Sequence, residues 1–261
     1  MNHKARKRFG QNFLQDEVLI NKIVDVIKPS PKDNLIEIGP GQGALTFPLL
    51  ERCKKMTAVE LDRDLVQFLE QMTERSQLTV ISQDVLTVDF NQFEGQLRLV
   101  GNLPYNISTP IMLHLLQSGF DIKDMHFMLQ LEVVERLGAV PNTKAYGRLS
   151  VMVQYHCRVM PLIPVPPSAF RPAPKVQSAI VRLKPHKTKP CTAFDEDLLS
   201  QIVSFSFQQR RKTLRNCLQH YADHLGTLGD IIDLSKRPEQ LSVAEFVKIA
   251  NHIHNNMVGS K

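Results

Sequence analysis

The stretch Asn34-Leu35-Ile36-Glu37-Ile38-Gly39-Pro40-Gly41-Gln42-Gly43 sets the architecture. Its first half is apolar and reads as a strand, and its second half is a glycine turn. Leu45, Leu49 and Leu50 then follow at helical spacing. The alternation recurs downstream. Thr57-Ala58-Val59-Glu60-Leu61 is a second strand, with a helical stripe of Leu65, Phe68, Leu69 and Met72 behind it. Leu78-Thr79-Val80-Ile81 is a third, closing on Gln83-Asp84. Leu97-Arg98-Leu99-Val100 is a fourth, followed by a helix over 110–116, and 127–131 reads as a fifth. Upstream, Leu19, Ile20, Ile23, Val24 and Ile27 predict a helix that Pro29 and Pro31 end. Strands alternating with helices to residue 135 predict an α/β fold with a doubly wound, mostly parallel sheet.

Beyond that the pattern changes. Six prolines between Met160 and Lys175 (161, 164, 166, 167, 172 and 174) predict a break in regular structure, after which 179–183 resumes a strand. The polar, basic 186–190 reads as a linker. Only helical patterns follow, over 198–207, 212–218 and 243–253. The expected organisation is an α/β domain over 1–185 and a small all-α domain over 186–261.

The 261 residues are 43% hydrophobic and 22% charged, enough for a buried core in a soluble protein. The net charge of +6 suggests an anionic partner. Its cations cluster as Lys4, Arg6, Lys7 and Arg8 near the start and as Arg210, Arg211, Lys212 and Arg215 near the end. Residues 1–9 are expected to stay mobile until a partner orders them. No apolar run approaches the ~18 residues of a membrane span, and no apolar segment follows the basic N-terminus as in a secretory signal. Cys53, Cys157, Cys191 and Cys217 lie far apart, as reduced cytoplasmic thiols would, and do not suggest a metal site.

Four predicted strand ends carry the candidate chemistry. The glycine turn lacks dinucleotide spacing, and Pro40 removes a donor that a diphosphate would use. A close contact to the amino acid part of S-adenosylmethionine fits it, as does an ordinary tight turn. Glu60 sits near the ~20-residue offset at which an acid reaches a ribose diol. Asp84 could accept from an adenine amino group, with Val85 packed on the ring. At Asn102-Leu103-Pro104-Tyr105, Pro104 stops the strand. The Asn102 side-chain oxygen and the Leu103 carbonyl are left as acceptors beside the flat Tyr105 ring. That arrangement suits a planar base with an exocyclic amino group; a plain Asn-x-Pro turn is the alternative. In one parallel sheet Gly39, Glu60, Asp84 and Asn102 converge on one crevice.

The motifs Gly10-Gln11-Asn12-Phe13-Leu14, Glu37-Ile38-Gly39-Pro40-Gly41-Gln42-Gly43, Asn102-Leu103-Pro104-Tyr105 and Phe170-Arg171-Pro172-Ala173-Pro174-Lys175-Val176-Gln177-Ser178 resemble those of the ribosomal RNA adenine N6,N6-dimethyltransferases. The resemblance is to the small-subunit, kasugamycin-resistance type. It spans nearly the whole chain, including Arg210-Arg211-Lys212-Thr213-Leu214 and Arg237-Pro238-Glu239-Gln240-Leu241. It implies a Rossmann-like class I methyltransferase fold and S-adenosylmethionine as methyl donor. Asn12, Leu14, Gly39, Gly41, Glu60, Leu61, Asp84, Val85 and Asn102 would hold that donor. Asn102 and Leu103 would accept from the target adenine N6, with Tyr105 stacking on the base and Phe170 holding its other face. Arg210, Arg211, Lys212 and Arg215 would meet RNA phosphates. The implied activity is dimethylation of two adjacent adenines near the 3′ end of small-subunit rRNA, by a cytoplasmic monomer with a role in subunit biogenesis. The alternatives are the related large-subunit methyltransferase of the macrolide-resistance type, a chiefly non-catalytic assembly factor, and, more weakly, a DNA adenine methyltransferase.

Overall fold

The computed structural model of the chain describes residues 12–117 and 119–259. Gly10, Gln11 and the N-terminal cations, with the mobility expected of them, lie outside the described residues. In chain order the elements are β1 (Phe13–Leu14), α1 (Glu17–Ile27), β2 (Asn34–Ile38), α2 (Thr46–Cys53), β3 (Met56–Glu60), α3 (Arg63–Met72), β4 (Leu78–Ser82), β5 (Leu97–Asn102), α4 (Ser108–Gln117) and β6 (Ile122–Gln130). There follow α5 (Leu131–Leu137), α6 (Arg148–His156), β7 (Cys157–Val165), β8 (Phe170–Arg171), β9 (Ser178–Pro185), α7 (Glu196–Gln208), α8 (Leu214–Cys217), α9 (Leu228–Ile231) and α10 (Val243–Gly259).

The main sheet has the order β4-β3-β2-β5-β6-β9-β7. The first five strands are mutually parallel, and β9 runs antiparallel to β6. The strand order reverses between β2 and β5, the switch point at which open α/β sheets bind ligands. The inner parallel strands β3, β2 and β5 are buried on both faces, whereas the edge strand β4 is partly exposed. α1 contributes Leu19, Ile20, Ile23, Val24 and Ile27 to a core shared with Leu35, Leu49, Ala58, Leu69 and Val100. Asp16 caps α1 by accepting from the Leu19 amide at 2.9 Å.

Three expectations need correction. β6 begins at Ile122, five residues before the predicted strand, because Lys123, Asp124 and His126 disguise it. Asp124 is fully buried there, bonded to Arg98 at 2.8 Å and Arg182 at 2.6 Å. Arg98 also bonds Asp33 at 2.7 Å and donates to the Ile27 and Lys28 carbonyls at the end of α1. Second, Pro161 and Pro164 do not interrupt structure but lie inside β7, an edge strand, the part of a sheet that tolerates proline. Third, the chain does not divide by a single cut at 185. One compact unit comprises the described residues to Val134 with Val159–Pro185; the other comprises Glu135–Arg158 with the described residues from His186.

Residues 135–158 join the helical unit because α6 packs on α7 and α10 there. Tyr146 donates to the Leu241 carbonyl at 2.8 Å, and the Asn142 amide to that of Glu239 at 2.8 Å. The expected 186–190 linker is likewise tied down, with the His186 amide bonded to the His156 carbonyl at 2.9 Å. The expected 212–218 helix contracts to α8. No helix among the described residues is long and apolar enough to cross a membrane.

Candidate active site at the strand ends

Gly39, Glu60, Asp84 and Asn102 follow or end β2, β3, β4 and β5, four neighbouring parallel strands, so they emerge at one edge of the sheet. They line one cavity of about 310 Å³. The turn above β2 needs its glycines: Gly39 and Gly41 have φ of +69° and +59°, where a side chain is strained. A Cβ on Gly41 would also meet the Phe13 ring at 3.3 Å. Beside the turn, a Cβ on Gly101 would lie 2.3 Å from the Ile38 carbonyl oxygen, so glycine lets β2 and β5 approach at the switch point.

Three carboxylates are set into an otherwise largely apolar inner wall. Glu60, 8% exposed, accepts from the Gly41 amide at 3.1 Å and the Asp62 amide at 2.9 Å. Burial raises its pKa against these bonds. Glu37, 1% exposed, accepts from the Thr46 hydroxyl at 2.6 Å. Burial, helped by the nearby Glu60, pushes the Glu37 carboxyl up to about 7. Asp84 accepts from the Leu86 amide at 3.0 Å with one oxygen, starting the turn that places Val85 on the wall. Leu61 stands half-exposed at the rim. Among the described lining residues Glu37, Glu60 and Asp84 are acidic, and none is Lys, Arg or His. Such a wall accepts from hydroxyl and amino groups, favours a cation and repels a phosphate.

At the other end, the Asn102 amide nitrogen donates to the Asn12 carbonyl at 3.0 Å. With its donor end engaged, Asn102 offers its oxygen to an incoming donor. The Tyr105 and Ser178 hydroxyls are hydrogen-bonded at 2.7 Å, and burial raises the Tyr105 pKa against that bond.

The cavity thus gathers Asn12, Leu14, Gly39, Gly41, Glu60, Leu61, Asp84, Val85, Asn102, Leu103 and Tyr105. Phe170 is not brought to it. Its ring is 2% exposed and packs in the core with Leu14, its register partner across the β1–β8 pair. It anchors a wall instead of facing a base. Arg210 also departs from expectation. Its guanidinium bonds Glu239 and the Thr143 and Lys144 carbonyls, the latter two at 3.1 and 3.0 Å, which leaves it tying the helical unit together. Arg211, Lys212 and Arg215 are exposed. Sequence reasoning passed over Phe13 and Glu37 as wall residues. The signal for Glu37 was present, as the lone acid inside an otherwise apolar strand.

A model of the ribosomal RNA adenine dimethylase family matches residues 2–255. The ribosomal RNA small subunit methyltransferase A of Legionella pneumophila (strain Lens) is 55% identical over 257 residues, covering 98% of this chain and 100% of that protein. Among solved structures, a dimethyladenosine transferase from Plasmodium falciparum is 25% identical with a TM-score of 0.81, over 94% of this chain and 98% of that one. The 23S rRNA methyltransferase ErmE shares the fold, at 24% identity and a TM-score of 0.65, over 93% of this chain and 100% of its own. By the match along almost its full length, this chain belongs to the ribosomal RNA adenine dimethylase family.

Proposed function

We propose that this chain transfers methyl groups from S-adenosylmethionine to N6 of adenines in small-subunit ribosomal RNA. Dimethylation of two adjacent adenines near the 3′ end, by a cytoplasmic monomer acting on immature subunits, is the specific reading. The observation that carries it is Asn102: a strand-end amide with its nitrogen tied to Asn12, beside Tyr105, in a cavity walled by acceptors. The small-subunit reading is preferred to the large-subunit one because the 55%-identical relative is named for the small subunit, whereas ErmE, at 24% identity, supports the fold alone.

The residues present fit the methyl donor. Glu60 keeps lone pairs beyond its two amide bonds for a ribose diol. Asp84 keeps an oxygen for the adenine amino group, while Leu61 and Val85 offer apolar surface to that ring. The glycine turn allows close approach of the methionine part, and the acidic wall suits a ligand whose sulfonium and ammonium outnumber its carboxylate. When bound, S-adenosylmethionine supplies an electrophilic methyl on a good leaving group.

The chain's own work is done at N6. That nitrogen is a weak nucleophile because its lone pair is delocalised into the ring. The Asn102 oxygen and the Leu103 carbonyl, by accepting hydrogen bonds from the N6 hydrogens, localise the pair and stabilise the positive charge that builds as the new N–C bond forms and the methyl–sulfur bond breaks; the acidic ammonium so formed then releases one proton to water. Preorganised groups of this kind contribute about 3 kcal/mol each. Tyr105 holds the ring by stacking, which contributes through alignment. The target base must be unpaired or extruded to enter. In the helical unit, exposed Arg211, Lys212 and Arg215 suit RNA phosphates.

The test is methyl transfer from labelled donor to unmodified small subunits, compared with mature subunits and naked RNA, with primer extension locating the product on both rRNAs. Asn102→Ala is expected to lower transfer by about 10²–10³-fold while leaving subunit binding largely intact. Modification of the large-subunit RNA instead would overturn the small-subunit reading.

A further inference from the structure

The segment that resemblance assigns to the target base, residues 170–178, touches the site differently. Phe170 and Arg171 pair with Leu14 and Phe13, and so brace the wall that also carries Asn12. At the segment's far end Ser178, fully buried as the first residue of β9, meets the Tyr105 hydroxyl at 2.7 Å. Ser178 is itself fixed by its register with Gln130 of β6, and the neighbouring Gln177 carbonyl accepts from the Leu131 amide at 2.9 Å. Tyr105, by contrast, lies in the loop between β5 and α4. A tyrosine ring has two soft torsions, and a bond at its far end restrains the first, so it fixes where the ring stands; the second turns about an axis through the hydroxyl oxygen and is left to the surrounding packing. Ser178 does not line the cavity.

We propose that Ser178 is a positioning residue for the methyl transfer, its hydroxyl anchoring the far end of the Tyr105 ring and so fixing where the face on which the target adenine stacks stands. This rests on the functional reading above. The serine lies outside the cavity lining and acts only through the tyrosine.

The test is a double-mutant cycle of Ser178→Ala and Tyr105→Phe, read as kcat for methyl transfer to unmodified small subunits, KM for S-adenosylmethionine and thermal unfolding. Each single variant is expected to lose about three- to tenfold in kcat, as loss of one hydrogen bond would produce. KM for the donor should stay within about twofold, because the cofactor end is unchanged. The double variant should be no slower than the worse single one. Losses that multiply, a Ser178→Ala enzyme at full kcat, or a Ser178→Ala chain unfolded at the assay temperature would each overturn the proposal. A wild-type chain that binds the donor yet methylates no adenine would overturn the functional reading and this one with it.

Discussion

Glu37 shows how one buried side chain sets the working range of a site. Its carboxyl, ordinarily at 4.5, is pushed up to about 7 by burial, so the folded chain holds a proton there that the unfolded chain releases. That contribution to stability is complete below pH 4.5 and is lost as pH rises through about 7. A cationic ligand reverses the preference, because it favours the ionised form of Glu37 and of neighbouring Glu60. The affinity for S-adenosylmethionine, measured by calorimetry, is therefore expected to weaken several-fold from about pH 8 to about pH 6, and Glu37→Gln should flatten the profile. A pH-independent wild-type affinity would remove Glu37 from the binding electrostatics.

At the scale of elements, the end of the sheet opposite the cavity is held by charge. Burial alone would raise the Asp33 and Asp124 carboxyls, yet Arg98, with Lys123 at the first and Arg182 at the second, holds both below the usual range. His126, 1% exposed beside Asp124, is pushed from 6.5 to about 4 by burial and stays neutral. Its share of stability is full above pH 6.5 and is lost as pH falls through about 4. Glu37 acts in the opposite sense over the same interval, so the histidine's share is read as a difference: relative to the parent chain, His126→Phe should raise the urea unfolding midpoint at about pH 4.5 more than at about pH 7. These same charges explain what the sequence concealed. β2, β3, β4 and β5 are apolar enough to be legible. In contrast, the first half of β6 looks polar because its charges are paired only in three dimensions. α6 was missed for the opposite reason: Leu149, Ser150, Val151, Met152, Val153 and Tyr155 are all buried, so no polar face marks a helical period. That the four candidate strand ends share one cavity was legible because parallel strand ends converge as a rule. Phe170 was misplaced because a motif gives order along the chain and not the direction of a ring.

For the whole molecule, the net charge of +6 becomes a question of which cations are available to a partner. Arg211 and Lys212 are exposed, whereas Arg210 is bonded to Glu239 and to the 143–144 backbone. Arg211→Ala and Lys212→Ala are each expected to weaken subunit binding and lower its salt dependence by about one ion, with thermal stability unchanged. Arg210→Ala should lower the unfolding temperature of the helical unit, with a smaller effect on the salt slope. Equal salt slopes for the three variants would place Arg210 on the RNA after all.

The β1–β8 pair has a consequence for how the protein comes into being. A two-residue ribbon has little strength of its own, so the wall carried by Asn12, Phe13 and Leu14 depends on Leu14 and Phe170 being buried together. On a translating ribosome the early segment is finished long before its mate emerges. A nascent fragment ending before residue 171 keeps the Asn102–Asn12 bond but lacks this brace, so it is expected to hold the methyl donor more weakly than the finished chain.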